Sequence, residues 1–377
     1  MKPNIPPFDI FNQTQYWVGH TIPYEITFSI GLKGVLHRDI FKQALKHVLL
    51  ETPQLQTRLR DVFDCTKRIY KKTKKNFNVD TLLTYSKLEV AIHQTRKTHE
   101  FDEVAQVFIN SNINLYKSIP LRIHLSEHSN THTIIYIKTS HSLTDGFGCM
   151  LILSRIFQKY NNIINKPNKL TLPDEPENYS MEQLKKHVTD DSVMQKIGET
   201  LQYPASYFKD SATINGIVKN IYSVIPHETF NKLKKISKEA SYTLNEIINA
   251  VAVKTTQKLV TEYGVNKRYL RLIQTINVRK DANMAGGITN FSSIFSSIIK
   301  EEETSDIKNT IETIKTQTDY ALKNKTYLYP LFAESAPKRI PTKKYMRMKK
   351  EYEQKIGIHN PLFSTVMSNL STVDSLI

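Results

Sequence analysis

At 377 residues the chain can bury one large core or two medium ones, and two is the better expectation. An apolar content of 40% fits a globular protein, no apolar run reaches the ~20 residues of a spanning helix, Met1–Pro7 lacks the apolar core of a signal peptide, and Cys65 and Cys149 are too few for a disulfide framework, so a cytoplasmic protein without a transmembrane segment is expected. The net charge of +16 attracts anions, but the lysines are dispersed and carry no zinc-finger, RNA-recognition or helix-turn-helix signature, so no nucleic acid is expected as a partner.

In chain order, Tyr24–Ile30 alternates well enough for a half-buried strand. Ile40, Phe41, Ala44, Leu45, Val48 and Leu49 then lie on one face of a helix over Arg38–Leu50, which Thr52-Pro53 stops. A strand is predicted over Leu55–Arg60, and a helix around Glu100–Ile109. Ile119–Leu125 reads as a strand begun by proline, and the polar turn Glu127–Asn130 joins it to a β-branched run, Ile134–Ile137, that leads to His141. Ser140–Gly148 is polar and glycine-bearing, and helical spacing returns at Met150–Leu153 and Ile156-Phe157. His141 therefore stands at the end of a rigid strand, with Asp145-Gly146 four and five residues on, in a His-x-x-x-Asp-Gly pattern. His124, His128 and His132 recur every four residues, but on strand–turn–strand that spacing does not converge on one face, so no metal site is expected.

Residues 161–220 read as a polar, proline-bearing crossover. Ile221–Ile225 is a predicted strand, and Pro226–Gly264 holds two helices. Phe230, Leu233, Ile236 and Ala240 form the stripe of the first. Thr243 and Glu246 form a capping box for the second, whose buried face takes Ile247, Ile248, Ala250, Val251, Val253 and Leu259. Tyr269–Arg279 reads as a strand ending in arginine. Gly286–Ser293, a strand at Ile294–Ile299, a helix at Asp306–Lys323 and a strand before Ser368-Asn369-Leu370 complete the series.

The succession of strand, helix and Pro-x-Leu-x-x-Arg, the hairpin into His141-x-x-x-Asp145-Gly146, the Asn277-Val278-Arg279 strand end, the Asn290-Phe291 segment and Ser368-Asn369 together resemble the CoA-dependent acyltransferase superfamily. That group includes chloramphenicol acetyltransferase, peptide-synthetase condensation domains, alcohol acetyltransferases and wax-ester synthases. The resemblance implies an α/β fold of two chloramphenicol-acetyltransferase-like subdomains, each a mixed sheet with helices, meeting at the active site. On this chain it implies an N-terminal subdomain at 1–160, a crossover linker at 161–220 and a C-terminal subdomain at 221–377; family members usually continue with further strands, so either a shortened variant or an incomplete sequence is expected. It also implies a buried pair between Asp145 and Arg279 that holds the loop, with Gly146 beside it. Thr144, Asn290, Ser368 and Asn369 fall where substrate would be bound. Ser140 stands where many relatives carry a second histidine.

The activity implied is transfer of an acyl group from a CoA or carrier-protein thioester to a hydroxyl or amine acceptor, with His141 as general base. A neutral imidazole with an ordinary pKa of ~6.5 is suited to take the acceptor's proton near neutrality. No tightly bound cofactor is needed; the acyl-CoA or acyl-carrier thioester is a co-substrate, an acidic carrier protein suits the basic chain, and a monomer suffices. The alternatives are a catalytically degenerate family member that serves as a binding module, or a basic nucleic-acid or membrane-surface protein in which the motif is accidental.

Overall fold

The structure, a computed structural model, describes residues 25–62, 65–70, 78–88, 99–100, 103–128, 131–166, 172–174, 176, 184, 221–264, 269–333, 347 and 364–368. Strand β1 is Glu25–Lys33. Phe41, Ala44, Leu45, Val48 and Leu49 form the buried face of helix α1, Arg38–Glu51. Strand is predicted from Leu55, yet Pro53–Gln56 makes a 3-10 turn first. Proline sets the turn's φ, and the Thr57 hydroxyl closes it by donating to the Gln54 carbonyl at 2.8 Å. The strand that follows, β2 at Thr57–Val62, pairs antiparallel with β3 at Cys65–Tyr70.

Strand β4 at Leu83–Leu88 and the two-residue β5 at His99–Glu100 precede helix α2, Glu103–Asn110. The predicted hairpin forms as β6, Leu121–His128, and β7, His132–Ser140. Helix α3 then runs over Gly146–Ile163. The sheet order is β1-β7-β6-β4, with the β4–β6 pair parallel and the others antiparallel. Helices α1 and α3 cover one face, where Phe41, Leu45 and Leu151 meet Ile135 and Ile137 from the central strand in one core.

Residues of β7 alternate between faces, so Lys138 points away from that core. It is nevertheless 1% exposed. Its ammonium lies 2.7 Å from the Glu25 carboxylate and donates to the carbonyls of Ile109 at 2.5 Å, Phe108 at 3.3 Å and Ser111. These carbonyls end α2, where a cation offsets the unpaired C-terminal groups of the helix. Glu25 in turn accepts from the Ile113 N–H at 2.7 Å. One buried charge pair thus seats the 103–113 segment on the second face of the sheet.

The remaining chain opens with β8, Ile221–Tyr222, paired with β5. Helix α4 is His227–Glu239, and α5 is Leu244–Glu262 behind the predicted Thr243–Glu246 capping box. Strand β9 (Tyr269–Asn277), the short helix α6 (Arg279–Ala282), strand β10 (Ser292–Lys300), helix α7 (Ile307–Lys323), helix α8 (Tyr329–Ala333) and strand β11 (Thr365–Met367) follow. The second sheet has the order β10-β9-β11. Ala250, Val253 and Val260 of α5 join Leu272, Ile299 and Ile314 in its core. Two expectations fail here. Helix α4 has no buried residue, because it lies on the outside of α5 rather than on the sheet, and Ile236 is 52% exposed. Val251 and Leu259 of α5 are also exposed, since they project from the side of the helix opposite Ala250 and Val253. The crossover expected over 161–220 lies outside the described residues apart from 161–166, 172–174, 176 and 184.

Removing a buried charge's partner costs far more than breaking a surface pair. Lys138→Ala is therefore expected to destabilise by about 3–5 kcal/mol. Lys159→Ala, at a partly exposed pair with Glu51, should cost about 0–1 kcal/mol. Equilibrium urea unfolding measures both, and equal costs would contradict the seating role of Lys138.

Candidate active site

The turn between β7 and α3 carries the His-x-x-x-Asp-Gly residues. Asp145 is the N-cap of α3: one carboxylate oxygen accepts from the Gly148 N–H at 2.8 Å. The same oxygen accepts from Arg279 Nη2 at 2.7 Å, and the other accepts from Arg279 Nη1 and from the Phe291 N–H, both at 2.7 Å. The carboxylate is thus filled from three directions while its side chain is only 4% exposed.

Arg279 is equally committed. All five guanidinium N–H groups find acceptors: Nε–H donates to Gly287 O at 2.8 Å, and Nη2 to Thr289 O at 2.8 Å as well as to Asp145. Nη1 adds the Asn277 side-chain oxygen at 3.2 Å to its bond with Asp145. The planar head lies between two rings, 5.0 Å from the Phe147 centroid and 5.3 Å from that of Phe291. The strand stops two residues short of the arginine: β9 ends at Asn277, whose side chain accepts the Arg279 N–H at 3.0 Å as α6 begins.

Backbone contacts extend this junction. The Thr144 hydroxyl donates to the Ile288 carbonyl, and the Thr289 hydroxyl to the Leu143 carbonyl at 3.2 Å. Gly148 meets the same stretch, and a Cβ there would overlap the Ile288 carbonyl oxygen and Thr144 Oγ1. The loop before α3 and the loop before β10 are therefore stitched together through residues far apart in the chain.

His141 is half-buried at the start of the turn. Asn290 Nδ2 donates to its carbonyl at 3.0 Å and lies 3.2 Å from ring Nδ1. Burial pushes the ring's pKa below the usual 6.5, against a smaller upward pull from a hydrogen bond to its own main chain and from the Asp145 charge. The ring is accordingly neutral at neutral pH. Beside it, Ser140 and Ser142 share a hydroxyl contact at 2.9 Å, and Ser142 and Leu143 form one wall of a small cleft whose other wall includes Arg58, Leu115 and Pro120.

The condensation-domain family model matches residues 13–330, most of the chain. The chain belongs to the condensation-domain family. That family is a branch of the CoA-dependent acyltransferase superfamily. No curated protein matches the sequence. The fold is similar to that of the first condensation domain of the calcium-dependent antibiotic synthetase in complex with a substrate analogue, at 12% identity and a TM-score of 0.65, covering 95% of this chain and 78% of that one. It is also similar to a four-domain nonribosomal peptide synthetase in holo form bound to AMP and glycine, at 13% identity and a TM-score of 0.64, over 97% of this chain and 27% of that one. A third likeness is the complex of the X-domain and OxyB from teicoplanin biosynthesis, at 11% identity and a TM-score of 0.56, over 90% and 76%. The two-subdomain α/β architecture expected from the motif is thus the architecture of this family member.

Among the site residues named from sequence, His141, Thr144, Asp145, Gly146, Arg279 and Asn290 come together at this junction. Thr144 is fully buried, and its hydroxyl is committed to the protein's own backbone. Ser368 is exposed just beyond β11, where its hydroxyl accepts from Thr275 at 3.2 Å. Asn369 lies outside the described residues. Sequence reasoning missed Thr289, Phe147 and Asn277, as well as the carbonyls of Gly287 and Ile288. The aromatic at Phe147, directly after Asp145-Gly146, was the one available signal; main-chain acceptors leave none. Among the described residues, no group of three or more His, Cys, Asp or Glu side chains is arranged to hold a metal ion.

Gly148→Ala forces a methyl group into backbone atoms of the facing loop, so it is expected to destabilise by about 1–3 kcal/mol despite alanine's better helix propensity. Thermal unfolding checks this, and a stabilised variant would show that the two loops do not meet at Gly148.

Proposed function

We propose that this family member transfers an acyl group from a thioester to an amine or hydroxyl acceptor, with His141 as the general base. The observation that carries the reading is a half-buried histidine at the end of β7, held by Asn290 where the loop before α3 meets the loop before β10. Condensation domains form amide bonds by acyl transfer between carrier-bound substrates. An amine acceptor and a carrier-protein thioester are therefore the first substrates to try here, with acyl-CoA and an alcohol as the second pair. The net charge of +16 suits an acidic carrier or the phosphates of CoA.

In the proposed step the acceptor's N–H or O–H gives its proton to a ring nitrogen of His141 as the heteroatom attacks the thioester carbonyl. The C–S bond then breaks, and the imidazolium returns that proton to the leaving thiolate. No acyl-enzyme intermediate forms. The Thr144 hydroxyl is already bonded to Ile288 O, so a main-chain N–H near Gly146 or the Ser368 hydroxyl is the proposed donor to the oxyanion. Asp145 accepts from groups of the protein itself and serves as a strut, not as an acid or base. The centre would lie between an N-terminal subdomain at 1–160 and a C-terminal one at 221–377.

A second reading is a binding module that has lost the reaction. The similar X-domain seen in complex with OxyB is the observation that favours it. Incubation with an acyl-phosphopantetheine thioester or acetyl-CoA and an amine, followed by release of free thiol, separates the two. Wild-type protein is expected to release thiol, and His141→Ala to lose about 10²–10⁴-fold of that rate, the usual contribution of a positioned base. Equal traces would leave the binding module.

The acid limb supplies a further check. The base works only when neutral, and burial lowers its pKa, so half of the plateau rate is expected at a pH below 6.5. A midpoint above that value would contradict a buried neutral base.

A further inference from the structure

The cleft between Ser142 and Leu143 on one side and Arg58, Leu115 and Pro120 on the other begins at the residue next to His141. Its lining is mostly apolar, and the hydroxyls in it are engaged. Thr57 donates to the Gln54 carbonyl at 2.8 Å, and Ser142 lies 2.9 Å from the Ser140 hydroxyl. Two arginines beside it are not fully engaged. Arg122 donates from Nη1 to the carbonyls of Ile119 at 3.2 Å and Leu121 at 2.8 Å, the two residues that flank Pro120. Its guanidinium is thereby held at the Pro120 wall, while Nε–H and the two Nη2–H groups find no acceptor among the described residues. The Arg58 side chain likewise makes no hydrogen bond or ion pair among the described residues.

The surrounding charges leave Arg122 uncompensated. Lys138 stands directly opposite it in the β6–β7 ladder, where like charges repel. Glu25 attracts Arg122, but its contact pair is with Lys138 at 2.7 Å. Burial pushes the Arg122 pKa down by more than Glu25 pulls it up. A half-buried guanidinium with spare donors and no carboxylate in contact is stabilised by an anion that brings two oxygens to its fork.

The position of the cleft decides which anion. The phosphates of CoA or of a carrier's arm are separated from the thioester sulfur by the whole pantetheine chain, so they cannot reach the residue beside the base while the thioester is at it. A carboxylate on a small acceptor can, and an acid already bound to a carrier as a thioester has no such charge. We propose that this cleft is a carboxylate subsite for the acceptor, with Arg122 as its main donor and Arg58 as its second cation, so that the acceptor is an amine bearing a free carboxylate, such as a free amino acid. This rests on the acyl-transfer reading and deepens it by naming the acceptor class. The amine first loses its ammonium proton to solvent. Its N–C bond then forms as the C–S bond breaks, and a second proton passes through His141 to the thiolate, leaving an N-acyl acid and a free thiol.

Thiol release from acetyl-CoA or an acyl-phosphopantetheine thioester is measured with L-alanine and with L-alaninamide as acceptors, each counted as its neutral amine. The wild type is expected to show a KM about 10- to 100-fold lower for alanine, and Arg122→Gln and Arg58→Gln to narrow that preference. Calorimetric titration of the full chain with N-acetyl-L-alanine and N-acetyl-L-alaninamide, with no thioester present, should show the same preference for the acid and the same narrowing. The wild-type comparison needs no variant, so a misfolded substitution does not remove the test. Equal KM values or equal binding of acid and amide would overturn the proposal, as would folded arginine variants that keep the full preference. Inorganic phosphate bound more tightly than the acid would overturn it in favour of a phosphate subsite. Absence of thiol release alongside arginine-dependent binding of the acid would refute the acyl-transfer reading and leave the carboxylate subsite standing; thiol release without preference for the acid would do the reverse.

Discussion

The bidentate pair between Asp145 and Arg279 is the interaction on which this site depends. Both side chains are almost wholly removed from water, at 4% and 3% exposure. Taking two such ions out of water is costly, and their mutual attraction offsets the loss only when geometry is good and every remaining proton and lone pair is satisfied. Here that condition is met: the guanidinium gives all its N–H groups to the carboxylate, to the carbonyls of Gly287 and Thr289 and to Asn277, and the carboxylate also takes the N–H groups of Gly148 and Phe291. Lysine in place of Arg279 would keep the charge but lose the fork, and with it most of these bonds.

The pair does more than join two charges. Asp145 caps α3, so the direction in which that helix leaves the first sheet is tied to a residue that follows β9 of the second. Thr144, Thr289 and the close approach at Gly148 add contacts on the same line. His141 lies four residues before the strut, on the last turn before the helix. Its position is therefore inherited from both loops: from β7 through the chain, and from the loop before β10 through Asn290, which bonds its carbonyl and lies 3.2 Å from ring Nδ1. Hydrogen bonds made by a rigid scaffold hold a reacting group at little further cost during reaction, which is how this junction would serve the proposed acyl transfer.

Much of this was legible in the amino-acid sequence, and the limits have physical causes. Strongly periodic stretches such as Phe41–Leu49 and the β-branched run before His141 form the elements they suggest, because their apolar faces have a core to enter. The stripe of α4 has the same period but no sheet beneath it, so periodicity alone misjudged its burial. Asp145 and Arg279 could be paired across 134 positions because a family motif carries both ends. Nothing in the sequence pairs Thr144 with Ile288 or Arg279 with Thr289, since those acceptors are main-chain carbonyls that every residue possesses. Lys138 is a further case: a lysine in a strand reads as a solvated edge, and only the tertiary arrangement shows it capping a helix from inside.

The most direct measurement is a double-mutant cycle on the strut, with unfolding free energies for the wild type, Asp145→Asn, Arg279→Gln and the pair. If the two side chains act as one buried unit, the second substitution adds little to the first, and the coupling is about 2–3 kcal/mol. Costs that add to within about 0.5 kcal/mol would mean independent residues and a junction held by something other than this pair.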